Sequence, residues 1–276
     1  MRIGPMRIAS GAHAAFAATM IALGLMGLIN GDFTVIWEPV PKGVPAREAL
    51  AYFAAVVSVA SGVCLLWQRT AVVATRVLLA YLLLWLLVFR IPGLFRGLTV
   101  DVYWAACRTA VMVAGAWALY ASFASGWDRE HIGFATGDNG LRVARALYGL
   151  SIVPFGVAHF QYPLQTAVLV PGWLPAHMAW TYFTGGTFIA AGIAVLIGVY
   201  ARLAAALSTV QMALFFVLVW APRLAAGSVN SFQRSEAIVT CALTAAAWVV
   251  ADSYRGVRLS GAAVASGVTS TSLSGH

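Results

Sequence analysis

The chain has 276 residues, of which 61% are hydrophobic and only 9% charged, with a mean hydropathy of +0.85. A water-soluble domain of this length needs far more charge to cover its surface, so composition excludes an ordinary soluble enzyme or binding module. The formal net charge is +8, yet no basic patch is interleaved with stacking aromatics, and nucleic acid is excluded as a partner on that ground.

A bilayer crossing needs ~20 mostly apolar residues, because lipid offers the backbone no hydrogen-bond partner outside its own helix. Windows of that kind lie at 13–30, 50–67, 71–89, 102–123, 141–160, 178–200, 203–220 and 237–251. Asp32, Glu38, Lys42, Arg47 and Glu48 follow the first, Gln68 and Arg69 the second, and Arg90 with Pro92 closes the third. Asp128, Arg129, Glu130, His131 and Asp138 mark a polar bridge after the fourth. Arg2 and Arg7 precede an apolar run longer than the ~7–15-residue core of a secretory signal, so the first window reads as a retained helix.

These windows predict an all-α integral membrane protein with eight transmembrane helices. Its expected organisation is a first four-helix repeat at 1–125, a polar connector at 126–140, a second repeat at 141–255 and a disordered tail at 256–276. Eight crossings put both termini on one side. That side collects Arg2, Arg7, Arg69, Arg76, Arg129, Arg142, Arg145, Arg202, Arg255 and Arg258, against Lys42, Arg47, Arg90, Arg96, Arg108, Arg223 and Arg234 opposite. The loop between the fifth and sixth windows carries neither Lys nor Arg. The excess predicts cytoplasmic termini.

Displacing the sequence on itself by about 130 residues aligns Pro41 with Pro171, Pro45 with Pro175, Pro92 with Pro222 and Gly97 with Gly227. Tyr52-Phe53 falls on Tyr182-Phe183, and Gly62 on Gly192. Prolines weigh most in this match, because each is expected to fix where a helix begins or stops. Four helices per half make the repeats parallel, unlike the inverted repeats of many transporters.

The second half runs Pro154-Phe155-Gly156-Val157-Ala158-His159-Phe160, then Leu169-Val170-Pro171-Gly172-Trp173-Leu174-Pro175 and Tyr182-Phe183-Thr184-Gly185. Ala201-Arg202-Leu203-Ala204-Ala205 and Leu218-Val219-Trp220-Ala221-Pro222-Arg223 follow. This succession resembles the DoxX-like family of four-helix bacterial membrane proteins over most of 141–251, with the first half as a diverged copy. The resemblance implies the fold, a bacterial inner membrane, and a link to quinone-coupled or thiol-related oxidation.

Segment 159–180 stands out for chemistry. It holds His159, Gln161, Tyr162, Trp173, His177 and Trp180 between Pro163, Pro171 and Pro175, without a formal charge. Irregular backbone at membrane depth must be buried in protein or line a cavity. One reading is a re-entrant cap over a flat, lipophilic ligand such as a quinone, with histidine and tryptophan as donors. The plainer reading is an interfacial aromatic belt.

Trp220 and Arg223, flanking Pro222, are further ligand candidates, though Arg223 also fits a side chain snorkelling to the interface. Glu236 is an ionisable group inside a membrane segment and a functional candidate by default. It is expected either in a buried pair with Arg234 or Arg223, or in the first helical turn, where a carboxylate meets the helix dipole. Asp101 and Arg108 lie at similar depth in the first half. Cys64, Cys107 and Cys241 are isolated, which excludes a vicinal-dithiol mechanism within the chain. His159 and His177 lack the spacing and companions of a metal site. Small residues around Gly185, Gly186 and Gly192 suit close helix packing within the bundle.

The resulting expectation is a quinone-interacting accessory subunit of a membrane redox system, bound to the bilayer and to a membrane or peripheral redox subunit. A non-catalytic carrier or permeability protein for a small lipophilic or neutral solute is the alternative from another class, and a membrane scaffold a third.

Overall fold

The computed structural model describes residues 10–34, 40–227 and 229–255. Arg2, Arg7, Glu38, Arg258 and the expected tail at 256–276 lie outside the described residues. Among the described residues, eight helices are long and apolar enough to cross a membrane: α1 Gly11–Asn30, α2 Arg47–Leu65, α3 Gln68–Arg96, α4 Val100–Phe123, α5 Gly137–Gln161, α6 His177–Ile197, α7 Ala201–Ala225 and α8 Ser231–Asp252. No β-sheet occurs among the described residues. Short helices at Gly126–His131 and Pro163–Ala167 sit in the α4–α5 and α5–α6 connections.

The helices are punctuated as their sequences dictate. Ser10 accepts from the His13 backbone N–H at the start of α1, and Gly31, with φ of 63°, closes it. Only a residue without Cβ adopts that left-handed conformation cheaply. Asn230 and Gln233 form a reciprocal capping box at the start of α8. Pro45 and Pro175 precede α2 and α6, and in each case the next residue, Ala46 or Ala176, is left-handed.

Pro92 and Pro222 do not stop their helices, contrary to expectation. Residues Trp85–Arg90 of α3 and Phe216–Trp220 of α7 are π-helical. There the Ile91 N–H bonds Leu86 O and the Ala221 N–H bonds Phe216 O, each five residues back. The wider turn shifts the hydrogen-bond ladder just ahead of each ring, so the missing proline N–H ends neither helix. Both therefore run several residues past the hydropathy windows, to Arg96 and Ala225.

Within the bundle α1 packs on α2, α2 on α3 and α3 on α4; α5 packs on α6, α6 on α7 and α7 on α8. Helix α4 also packs on α5, α8 on α1, and α4 on α8. Glycine brings several of these pairs into near contact. A Cβ on Gly156 would lie 2.4 Å from Gly185 O, and one on Gly192 would lie 2.8 Å from Gly149 O. Gly62 meets Ala17 O in the same way at the α1–α2 contact, and Gly115 meets Ala246 where α4 crosses α8. Gly185 and Gly192 thus serve bundle packing, whereas Gly186 faces open space. Large apolar residues are instead turned outward, among them Leu84, Leu87, Leu207, Val210, Leu214 and Val217. Glycines at the helix contacts and large apolar side chains on the outward faces suit a lipid solvent, where association depends on close backbone approach.

Candidate functional site

Helices α4 and α8 start on the side of the bundle opposite residues 10 and 255, and their N-terminal halves line a cavity of about 710 Å³. On α4 the lining residues are Asp101, Trp104, Ala105 and Arg108, spaced i, i+3, i+4, i+7 along one helical face. Phe232, Glu236, Thr240 and Leu243, spaced i, i+4, i+8, i+11, share one face of α8. Phe155 and His159 come from the end of α5, Phe188 from α6, and Met212, Phe215 and Trp220 from α7. The connection after α5 contributes Tyr162, Gln165, Thr166 and Leu169.

One charge pair crosses this cavity. Arg108 Nη1 donates to Glu236 Oε1 at 2.9 Å and Nη2 donates to Oε2 at 3.1 Å, a two-pronged contact between α4 and α8. The side chains are 17% and 15% exposed, so each ion depends on the other for most of its solvation. By helical rise they stand ~12 Å and ~8 Å inside their helix starts. The expected partners of Glu236 were Arg234 or Arg223; the partner is Arg108. Glu236 is the sixth residue of α8 and lies beyond the first turn, so the helix-dipole account does not hold. Arg108 also lies over the Trp104 ring, 5.2 Å from its centroid.

The other walls are aromatic. Trp104 meets Phe155 edge-on, Phe155 meets Phe188, and Phe215 meets Trp220, with centroids 6.1–6.3 Å apart. The indole N–H groups of Trp104 and Trp220 are buried and have no hydrogen-bond partner among the described residues. A buried unpaired donor costs ~1–3 kcal/mol, and both residues border the cavity. His159 Nδ1 lies 2.8 Å from Phe155 O. A carbonyl only accepts, so Nδ1 carries the proton and the neutral ring keeps Nε2 as an acceptor.

Of the candidates named from sequence, His159, Trp220 and Glu236 share this cavity. Trp173 and Trp180 line a second one, between α6 and α7. Gln161 accepts from the Tyr103 hydroxyl. Arg223 lies over the Trp220 ring, outside the cavity lining, and His177 and Arg234 line neither space. Sequence reasoning missed Trp104, Phe155, Phe188 and Phe215 as wall residues. The spacing of Asp101, Trp104 and Arg108 was the available signal on α4, since charges and an aromatic on one face of a membrane helix must face protein.

Fold and site together define an all-helical, multi-pass membrane architecture with a charged, aromatic-walled cavity among α4, α5, α7 and α8. Residues 148–254, less than half of the chain, match a family described as Domain of unknown function (DUF8561). No curated protein and no solved structure matches the chain.

Proposed function

We propose that the chain is a DoxX-like protein of the bacterial inner membrane, with cytoplasmic termini, that binds a quinone as an accessory subunit of a membrane redox system. The observation that carries this reading is the central cavity, whose aromatic walls surround the Arg108–Glu236 pair. An oxidised quinone is a flat apolar ring bearing carbonyl acceptors. Aromatic walls suit the ring, and the Arg108 guanidinium N–H groups suit the oxygens. Reduction turns those oxygens into hydroxyl donors, for which His159 Nε2 and the Glu236 carboxylate are acceptors.

The same proposal includes two parallel four-helix halves, α1–α4 and α5–α8. Exchanging each helix with the one four places on maps these neighbour relations onto themselves, apart from a minor α5–α8 contact, and leaves α4–α8 as the central contact. The left-handed Ala46 and Ala176, the π-helical turns before Pro92 and Pro222, and the packed Gly62 and Gly192 all recur at the 130-residue displacement. These recurrences are backbone features, which support duplication better than shared hydropathy does.

Titration of the purified protein with a benzoquinone and a naphthoquinone, followed by tryptophan fluorescence, tests the binding. Saturable quenching is expected with at least one. In the same titration with the reduced, hydroxyl-bearing quinol, His159→Ala should weaken binding about fivefold to tenfold, the worth of one hydrogen bond in a buried site, while His177→Ala leaves it unchanged. Absence of saturable quenching, or identical curves for both variants and wild type, abandons the reading.

A further inference from the structure

The second cavity, about 840 Å³, follows the seam between α6 and α7. Its lining runs on α6 from Trp180 to Ala194 and on α7 from Leu203 to Val219. At 1.5 Å per residue this is a groove of roughly 20–25 Å. Ala190, Ala191 and Ala194 on α6 and Ala204 on α7 are too short to fill it. Exposed Phe183, Leu207, Val210 and Leu214 also line it, so it opens sideways along the outward face of the bundle.

Its threonine, serine and glutamine lining is already engaged. Thr187 Oγ1 donates to Gln211 Oε1 at 2.6 Å, and Gln211 Nε2 donates to Thr184 O at 3.0 Å. Thr166, Thr181 and Thr184 donate to carbonyls within their own helical turns. Ser208 is occupied by Tyr148 and Ala205 O. The central cavity differs, for its lining carries the Arg108–Glu236 ion pair, and the groove lining carries no Lys, Arg, Asp or Glu. The two spaces adjoin: His159, Thr166, Leu169, Phe188 and Phe215 line both.

We infer that the two cavities form one bipartite site for an amphiphile with a flat, oxygen-bearing head and a single long hydrocarbon tail. The head occupies the central cavity, the tail lies in the α6–α7 groove, and entry is lateral, from the lipid. This rests on the reading of the central cavity as a head-group pocket and extends it to ligand class and route. Polar contacts and an open volume of matching character sit on either side of a shared wall, and a tailed ligand satisfies both at once.

Three ligands separate the possibilities in the full-length protein, held in lipid nanodiscs of fixed composition: a tailless benzoquinone, the same head with a ten-carbon tail, and one with a long isoprenoid tail. The tailed ligands should bind wild type at least tenfold more tightly than the tailless one. Ala194→Phe and Ala190→Phe, each filling the groove from a partly open position, should abolish that gain without moving the tailless affinity. Ile193→Phe, which places the same ring on α6 away from the groove lining, should retain it and so controls for a nonspecific effect of the ring. A tail gain that survives both groove variants means that the groove holds bilayer lipid only, and overturns the inference while leaving the head-group reading intact. Failure of the tailless quinone to bind wild type overturns the head-group reading itself.

Discussion

Arg108 and Glu236 stand 128 positions apart in sequence and meet inside the helix layer. Neither could be kept there alone. Breaking a buried pair by removing one charge typically costs ~3–5 kcal/mol, because the survivor is left uncompensated. Glu236→Gln and Arg108→Gln are therefore each expected to lower thermal stability in detergent by several degrees. The double variant should be destabilised by much less than the sum of the two. A strictly additive cycle, measured by thermal unfolding, would show that the charges act independently. That Glu236 is a residue of interest was legible in the sequence, because an ionisable side chain in an apolar run is conspicuous. Its partner was not, because pairing depends on how two distant helices are rotated toward each other.

Among elements, the connection from α4 to α5 shows how a polar segment is tied to the bundle. Asp128, in the short helix Gly126–His131, has a fully buried side chain. Arg76 of α3 reaches it with two bonds of 2.8 Å, Tyr120 of α4 donates at 3.0 Å, and Ser125 donates through both its backbone N–H and its hydroxyl. The Arg76 guanidinium, aided by Ser125 and Tyr120, holds the Asp128 carboxyl well below the usual carboxylate range, against burial, which pushes it up. The folded value lies below the unfolded one, so this contribution is complete above pH ~4 and is lost as pH falls further. Asp128→Asn should lower the unfolding temperature at neutral pH, with the gap to wild type narrowing as the pH drops below ~4. A gap independent of pH would mean that Asp128 matters for shape and not for charge. The π-helical turns teach a related lesson. A proline reads from sequence as a helix end, but whether the preceding turn widens to carry the helix past it is settled by packing around α3 and α7.

For the whole molecule, eight crossings leave residues 10 and 255 on one face and the mouth of the central cavity on the other. With cytoplasmic termini the mouth faces outward. Reporter fusions check this directly. A cytoplasm-dependent reporter should be active after residue 255 and in the 126–136 connection, and inactive in the 162–176 connection. The reverse pattern would invert the orientation and turn the cavity mouth toward the cytoplasm.

Hydropathy by itself determined that the chain is helical, that eight segments can cross a membrane, and their ends to within seven residues. Lipid enforces this locally: each crossing must satisfy its own backbone and present apolar side chains, whatever its neighbours do. The tertiary structure alone decided that Arg108 faces Glu236, that two tryptophan donors border one cavity, and that His159 stands where the two cavities meet. Those relations join residues from four or more helices. Helix order, rotation and close approach at glycines such as Gly156 and Gly115 are collective properties of packing, which no single stretch of chain carries.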